Sequence, residues 1–414
     1  PEDVYFSKVI IDYNLGKVAN REIADNFSQE TQKCVDPLGG HQFWLAKNDL
    51  SIQSYFVTAS RFSQETIIGN ELETRRIPSL ILDSNYYIHA DHRSGWGALM
   101  RNCIEQGIVS LKTDSKTLSQ SDILLVDSME QVWAPWAVSS KKPPRIISQP
   151  WIGIIHYIDC IPEFITQQNA TDVFNNATSS LGNCKAIITL SKYSQRMVKN
   201  YLENIPVSVK FLYPRISDIR VIALKHPIEH LPRRFDEKVF FRSREQRLVQ
   251  LGFQYRKIST IYKIDVPIKK TWLPGHHPQK AHRAFMDEWK ALNISKKPND
   301  VEIIRTDTNE EFDDIILKNF VIIPLWNASA NNSVLECIDM CIPAFITRLE
   351  ATEEYLGKDY PLFFTDIAQV ERILRQSQHT LKETLMEAHR YLVALDKSEI
   401  RYRHFNSELL KIIQ

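Results

Sequence analysis

No apolar run in this 414-residue chain approaches the roughly 20 residues that cross a bilayer as a helix. Even residues 320–326, counted with their proline, fall far short, and the chain does not open with the charged-then-apolar order of a secretory signal. A protein without a transmembrane segment, working in the cytoplasm, is expected. Cys-x-x-Cys is also missing. The six cysteines (Cys34, Cys103, Cys160, Cys184, Cys337, Cys341) are scattered, which excludes a zinc knuckle and a dense disulfide framework and implies reduced thiols. Charge of either sign is not in excess: 51 basic residues face 50 acidic ones, so there is no overall cationic field and no nucleic-acid partner is expected. Internal repeats and low-complexity segments are absent.

What is present is the composition of an ordinary globular protein, 43% hydrophobic and 24% charged, long enough for two domains. Residues 1–50 have little periodicity and a Gly39-Gly40 pair, and read as an N-terminal lead-in. From residue 51 to 220 strand-like runs (55–59, 79–83, 123–126, 152–157, 186–190) alternate with segments long enough for helices, an α/β order. Residues 215–245, with Pro227, Pro232 and clustered charges, read as an interdomain connection. A second α/β run fills 221–380, with strands at 248–251, 301–305 and 320–323 and helices at 278–292 and 310–317. Residues 381–414 carry leucines at helical spacing. The opening Pro1 in place of methionine fits one module of a longer polypeptide with further domains.

Residues 319–357 are the most informative stretch. The run 320–323 is short and rich in branched residues, as a buried parallel strand should be, and Pro324 ends it by removing a ladder donor. A polar loop through Trp326, Asn327, Asn331 and Asn332 leads to a helix opening at Ser333 and stopping before Pro343. Small polar residues therefore meet a helix N-terminus, whose unpaired amides and partial positive charge suit a phosphate. The structural alternative is a capping box, since Ser333 and Glu336 have its spacing.

NNSVLECIDMCIPAFI, the following LEATEEYLGKDYPLFF and the upstream QLGFQYRKIS resemble the donor-binding domain of GT-B glycosyltransferases of the family 4, or group 1, type. The resemblance implies two Rossmann-like α/β domains facing a central cleft, with the donor, a nucleotide diphosphate sugar, on the C-terminal domain and a glycan or other hydroxyl acceptor on the N-terminal one. It implies that the last helices, 381–414, pack back toward the N-terminal domain. In the retaining branch two glutamates stand eight positions apart, and the second holds the donor ribose. Glu336 fits that second position, whereas the first falls on Ala328, which leaves the stereochemical outcome open and gives Asn327, Asn331 or Asn332 a share in donor contact. Arg256 and Lys257 match the basic pair placed on the pyrophosphate, where fixed positive charge would stabilise the departing nucleotide diphosphate. No Asp-x-Asp occurs, and no metal or other cofactor is expected. Ser333 and Trp326 complete the donor set. Gly95, Trp96 and Gly97, ahead of a helical stretch, would form a loop near the donor phosphate, or an ordinary tight turn.

For the acceptor side, Asp91, His92, His156 and Asp159 are the candidate proton acceptors, because ligands in open α/β sheets gather at the C-terminal ends of the strands. His276, His277 and His282 lack a completing carboxylate or cysteine at helical spacing and read as loop residues rather than a metal site. Two alternatives to glycosyl transfer remain: a nucleotide-sugar epimerase or phosphorylase of the same fold, and a catalytically silent binding module.

Overall fold

The structure, a computed structural model, describes residues 31–35, 42–46, 79–83, 95–112 and 122–413, apart from 136, 139–142, 158, 160, 163, 166–168, 244, 276 and 295–299. The strand expected at 55–59 lies outside the described residues. The chain divides into two compact units, 1–75 and 76–414. In the first, β1 (Thr31–Val35) and β2 (Gln42–Ala46) form an antiparallel pair.

The second unit contains two six-stranded sheets, parallel throughout. The first consists of β3 (Leu80–Asp83), β4 (Val109–Lys112), β5 (Ile123–Val126), β6 (Trp151–Ile155), β7 (Cys184–Thr189) and β8 (Arg220–Ala223), in the order β4-β3-β5-β6-β7-β8. The second consists of β9 (Arg247–Leu251), β10 (Lys269–Leu273), β11 (Val301–Ile303), β12 (Phe320–Ile323), β13 (Phe345–Thr347) and β14 (Phe363–Phe364). Its order, β11-β10-β9-β12-β13-β14, reverses direction between β9 and β12, as in a dinucleotide-binding sheet. Parallel strands need helical crossovers, so both faces of each sheet are covered and the strands read as unbroken apolar runs. Period-two alternation divides the first sheet between two cores. Leu124, Val126 and Trp151 pack with the helices Ala170–Leu181 and Lys192–Glu203, while Leu125, Ile152 and Ile154 pack with the helix Trp96–Glu105.

Several elements differ from the sequence reading. The segment 215–245 is not all connection: Arg220–Ala223 is the sixth strand of the first sheet, and Glu237–Arg242 is a helix. β4, β10 and β14 also carry too little apolar signal to stand out, because they are short edge strands or begin with lysines. The C-terminal helices part company. Gln378–Ala394 buries Leu385, Ala388 and Leu392 in the core of the second sheet, and only Tyr402–Ile413 returns to the first, through Phe405, Leu409, Ile412 and Ile413.

The chain thus crosses between the sheets twice, and the two crossings are paired at a parallel bridge between Ile228 and Arg401. Asp339, fully buried, fastens both to the helix Asn332–Met340. Its carboxylate accepts from the Leu231 amide at 2.8 Å and pairs with Arg234 at 2.7 Å and Arg401 at 2.6 Å. Burial alone would raise the Asp339 carboxyl, but the Leu231 amide and the two arginines outweigh it and hold it below the usual carboxylate range. A depressed folded value means that the stabilisation is present above the unfolded pKa of about 3.9 and is lost as pH falls through the folded value. Asp339→Ala should lower stability at neutral pH by about 3 kcal/mol, because two arginines lose their buried counter-charge. Its melting temperature should also fall less steeply than wild type below about pH 4. Denaturant melts at neutral and acid pH check both.

Candidate functional site

The C-terminal edges of the two sheets line a common cavity of about 830 Å³. From the first sheet come Trp96, His156, Tyr157 and His226; from the second come the loop after β9 (residues 252–256), Asp307 to Glu310 after β11, and Asn327 to Asn332 after β12. Diverging loops at the point where strand order reverses make such a crevice wherever this topology occurs.

On the second sheet's wall Arg256 is the organising group. Its Nη2 donates to Asn331 Oδ1 at 2.9 Å and Ser333 Oγ at 3.0 Å, and its Nη1 to the Gln254 carbonyl at 2.6 Å. Its Nε is buried and finds no acceptor among the described residues. Burial pulls the guanidinium down to about 10 and the Glu336 carboxylate works against that pull, so Arg256 remains a cation at neutral pH. The loop is shaped for this placement. Gly252 (φ 73°) and Tyr255 (φ 57°) both adopt the left-handed region, and a Cβ on Gly252 would lie 3.1 Å from Arg256 Nε. The Lys257 and Trp326 amides donate to the Pro324 and Tyr255 carbonyls, joining the β9 and β12 loops. Buried Glu288 accepts from the Ile258 and Ser259 amides and fixes the far end of the loop. The result is a fixed cation beside the N-terminus of the nine-residue helix Asn332–Met340, which suits a phosphate.

On the first sheet's wall His156 follows the last residue of β6. Buried Glu130 accepts from the backbone amides of His156 and Tyr157, fixing the strand end. The ring Nε2 lies 3.1 Å from the Asp127 carbonyl oxygen. A carbonyl only accepts, so Nε2 carries the hydrogen and Nδ1 the lone pair in the neutral ring. The ring of Trp96 packs edge-on to His156 at 4.5 Å and to His226 at 5.4 Å. Trp96 Nε1 is buried and finds no acceptor among the described residues. Tyr157 and Tyr255 meet edge to face at 6.3 Å across the cleft, and Asn327 Nδ2 reaches over to the Asp159 carbonyl and the Tyr193 hydroxyl.

The sequence candidates therefore separate. Arg256, Asn331, Asn332, His156, Trp96 and Gly97 line one cavity, and Ser333 is bonded to Arg256. Gly95 is the N-cap of the helix Trp96–Glu105. Lys257 and Trp326 are not among the lining residues: the Lys257 ammonium lies 5.1 Å from the Trp326 ring centroid, and burial lowers its pKa against the pull of Glu288. Asp159 is not among the lining residues, and its carboxylate accepts from the Thr171 amide and hydroxyl at the start of the helix Ala170–Leu181. Asp91, His92 and His276 lie outside the described residues. The helix after β12 is capped by Asn331, whose Oδ1 accepts from the Val334 amide, and not by Ser333, so the capping-box reading of Ser333 and Glu336 falls. Ala328, at the slot of the family's first glutamate, is buried.

Glu336 is buried on that helix, past its first turn, with no capping duty. Glu336→Ala is expected to weaken binding of a hydroxyl-bearing phosphate ligand by more than about tenfold, since it strips a carboxylate able to make charge-assisted hydrogen bonds to a ligand hydroxyl. Titration calorimetry beside a thermal melt checks this. A lowered melt with unchanged affinity would leave Glu336 a purely structural carboxylate.

Sequence reasoning missed His226 and Glu130. His226 belongs to the segment read as connection, and its Nδ1 is 2.8 Å from the Pro227 carbonyl. Glu130 sits on the five-residue helix Met129–Trp133, 26 positions before the histidine it supports. Neither has a local signal, because each reaches the cleft only through strand pairing.

No family model matches the sequence, and no curated protein matches it. Among solved structures the chain is similar to sucrose-phosphate synthase from Thermosynechococcus elongatus, with a TM-score of 0.52 and 10% identity, over 80% of this chain and 97% of that one. It is also similar to the UDP-forming alpha,alpha-trehalose-phosphate synthase from Burkholderia vietnamiensis (TM-score 0.49, 9% identity, 81% and 98% covered). A third is S. aureus TarM in complex with UDP (TM-score 0.46, 10% identity, 72% covered), of whose chain 56% is spanned. With its two parallel Rossmann-like sheets facing a cleft, and its likeness to sucrose-phosphate synthase, the chain has the GT-B fold.

Proposed function

We propose that the chain transfers a sugar from a nucleotide diphosphate sugar to a hydroxyl of a glycan or related acceptor. The observation that carries this reading is Arg256, held by Asn331 and Ser333 at a helix N-terminus on one wall of the cavity, with His156 on the other. The donor diphosphate would lie against Arg256 and the helix end, where preorganised charge stabilises the departing nucleotide as the glycosidic bond breaks. That positive charge takes the part a divalent cation plays elsewhere, so the reaction proceeds in a chelator. In an inverting reaction His156 Nδ1 takes the proton of the acceptor hydroxyl. In a retaining one the departing phosphate takes it.

The reading is supported by the GT-B fold shared with sucrose-phosphate synthase. Among the described residues no helix is long and apolar enough to cross a membrane, and Cys103, Cys184, Cys337 and Cys341 are free thiols, which supports work in a reducing, cytoplasmic compartment. Nucleoside diphosphates should raise the melting temperature, by about 2.7 kcal/mol of added stability at 100 times Kd, and EDTA should leave the shift intact. Absence of any shift with uridine, guanosine, adenosine and thymidine diphosphates, or a shift that needs magnesium or manganese, would overturn the proposal.

A further inference from the structure

Far from the cleft, the six-residue helix Val207–Leu212 presents Val207, Phe211 and Leu212 to solvent at 82%, 84% and 70% exposure. Val207 and Phe211 share one face by their four-residue spacing, while Val209 and Tyr213 turn inward to the core of the first sheet. Single exposed apolar residues are ordinary; three large ones on one six-residue helix are not. Tyr213 packs on Gly182, where an added Cβ would lie 3.1 Å from its ring. Gly182 in turn lines a second cavity, of about 280 Å³, together with Asn183, Lys185, Arg215, Asp218 and Arg220. Three cations against a single acid surround this space, and among the described residues neither Lys185 nor Arg215 forms an ion pair. A fourth exposed apolar side chain, Ile146 at 67%, is tied to the same corner: the next residue, Ile147, accepts at its carbonyl from Asn183 Nδ2. The cavity lies where β6, β7 and β8 begin, at the edge of the sheet opposite the catalytic cleft.

We propose that this apolar knuckle and the basic cavity beside it dock the chain on the surface of an anionic lipid bilayer. Phe211, Val207 and Leu212 enter the headgroup region, and Lys185 and Arg215 face lipid phosphates, while Arg220 is held by the Ile412 carbonyl. Apolar insertion and cationic attraction reinforce one another, each being weak alone. The knuckle is only about 9 Å long, too small to form the roughly 800 Å² per partner of a stable protein interface. Insertion into lipid needs no such matching surface. The inference is independent of sugar transfer in the cleft, since none of these residues lines it.

Co-sedimentation of the whole chain tests it, using phosphatidylcholine vesicles alone and vesicles in which phosphatidylglycerol replaces about a third of the lipid. The chain should pellet with the anionic vesicles and largely stay in solution with the neutral ones. Phe211→Ser combined with Val207→Ser should weaken the partition by at least about tenfold with an unchanged melting temperature. Arg215→Glu should abolish the preference for anionic lipid. Failure of the parent to pellet with either vesicle overturns the proposal, as does a double variant that pellets equally well. Dimerisation that the serine substitutions disperse, without vesicle binding, overturns it too and makes the knuckle a contact between copies.

Discussion

Arg256→Ala is expected to lower kcat/KM for the nucleotide-sugar donor by about 100- to 1,000-fold, the range set by loss of a preorganised charge at a developing anion. Three features make this side chain hard to replace. Its Nη2 is already bonded to two side chains of the β12 loop and helix, so its position is fixed before a ligand arrives. Its Nε is buried with no acceptor among the described residues. Gly252, left-handed and without a Cβ, leaves the room the guanidinium fills. Lysine at 256 should not restore activity, because an ammonium cannot meet Asn331, Ser333 and a ligand in one plane. The loss should appear in kcat as well as KM, since charge on the diphosphate grows as the sugar departs. A variant with raised KM and wild-type kcat would reduce Arg256 to ground-state binding.

His156→Ala should lower turnover by about 100-fold or more while nucleotide affinity changes little, the pattern of a group that acts on the acceptor in the transition state. The Asp127 carbonyl holds one ring nitrogen as a donor, Glu130 holds the backbone beneath, and the Trp96 ring packs against the imidazole. Added imidazole should restore part of the rate by occupying the vacated space. The anomeric configuration of the product belongs with this experiment. Inversion with unimpaired turnover would contradict the assignment of His156. Retention with unimpaired turnover would transfer the proton to the departing phosphate and leave the donor site as described.

Local chemistry made much of this legible. The strand 320–323, the proline after it and the polar loop leading to a helix are consecutive in sequence, and so were readable together with Arg256. Which of Asn331 and Ser333 caps the helix was not, because both are good caps two positions apart and the choice depends on Arg256, which binds both. Asp159, after a strand near a cleft, has the marks of a base in the sequence, and the bonds that Thr171 donates to both its oxygens could not be read there. Glu130 and His226 act at the cleft through residues distant in sequence, and no periodicity encodes such contacts. The strand at 220–223, an edge of the first sheet that opens on arginine, was hidden among charges for the same reason.

The central claim is that a fixed arginine and a helix N-terminus accomplish sugar transfer from a nucleotide diphosphate without a divalent ion. Release of nucleoside diphosphate, followed by mass analysis of the acceptor, measures it most directly when donor panels are incubated in EDTA with the parent chain and with Arg256→Ala. The expected result is an acceptor heavier by one sugar, at a rate unchanged by the chelator and about 100-fold or more slower in the variant. Turnover that appears only when manganese or magnesium is returned, or that survives in Arg256→Ala, would contradict it.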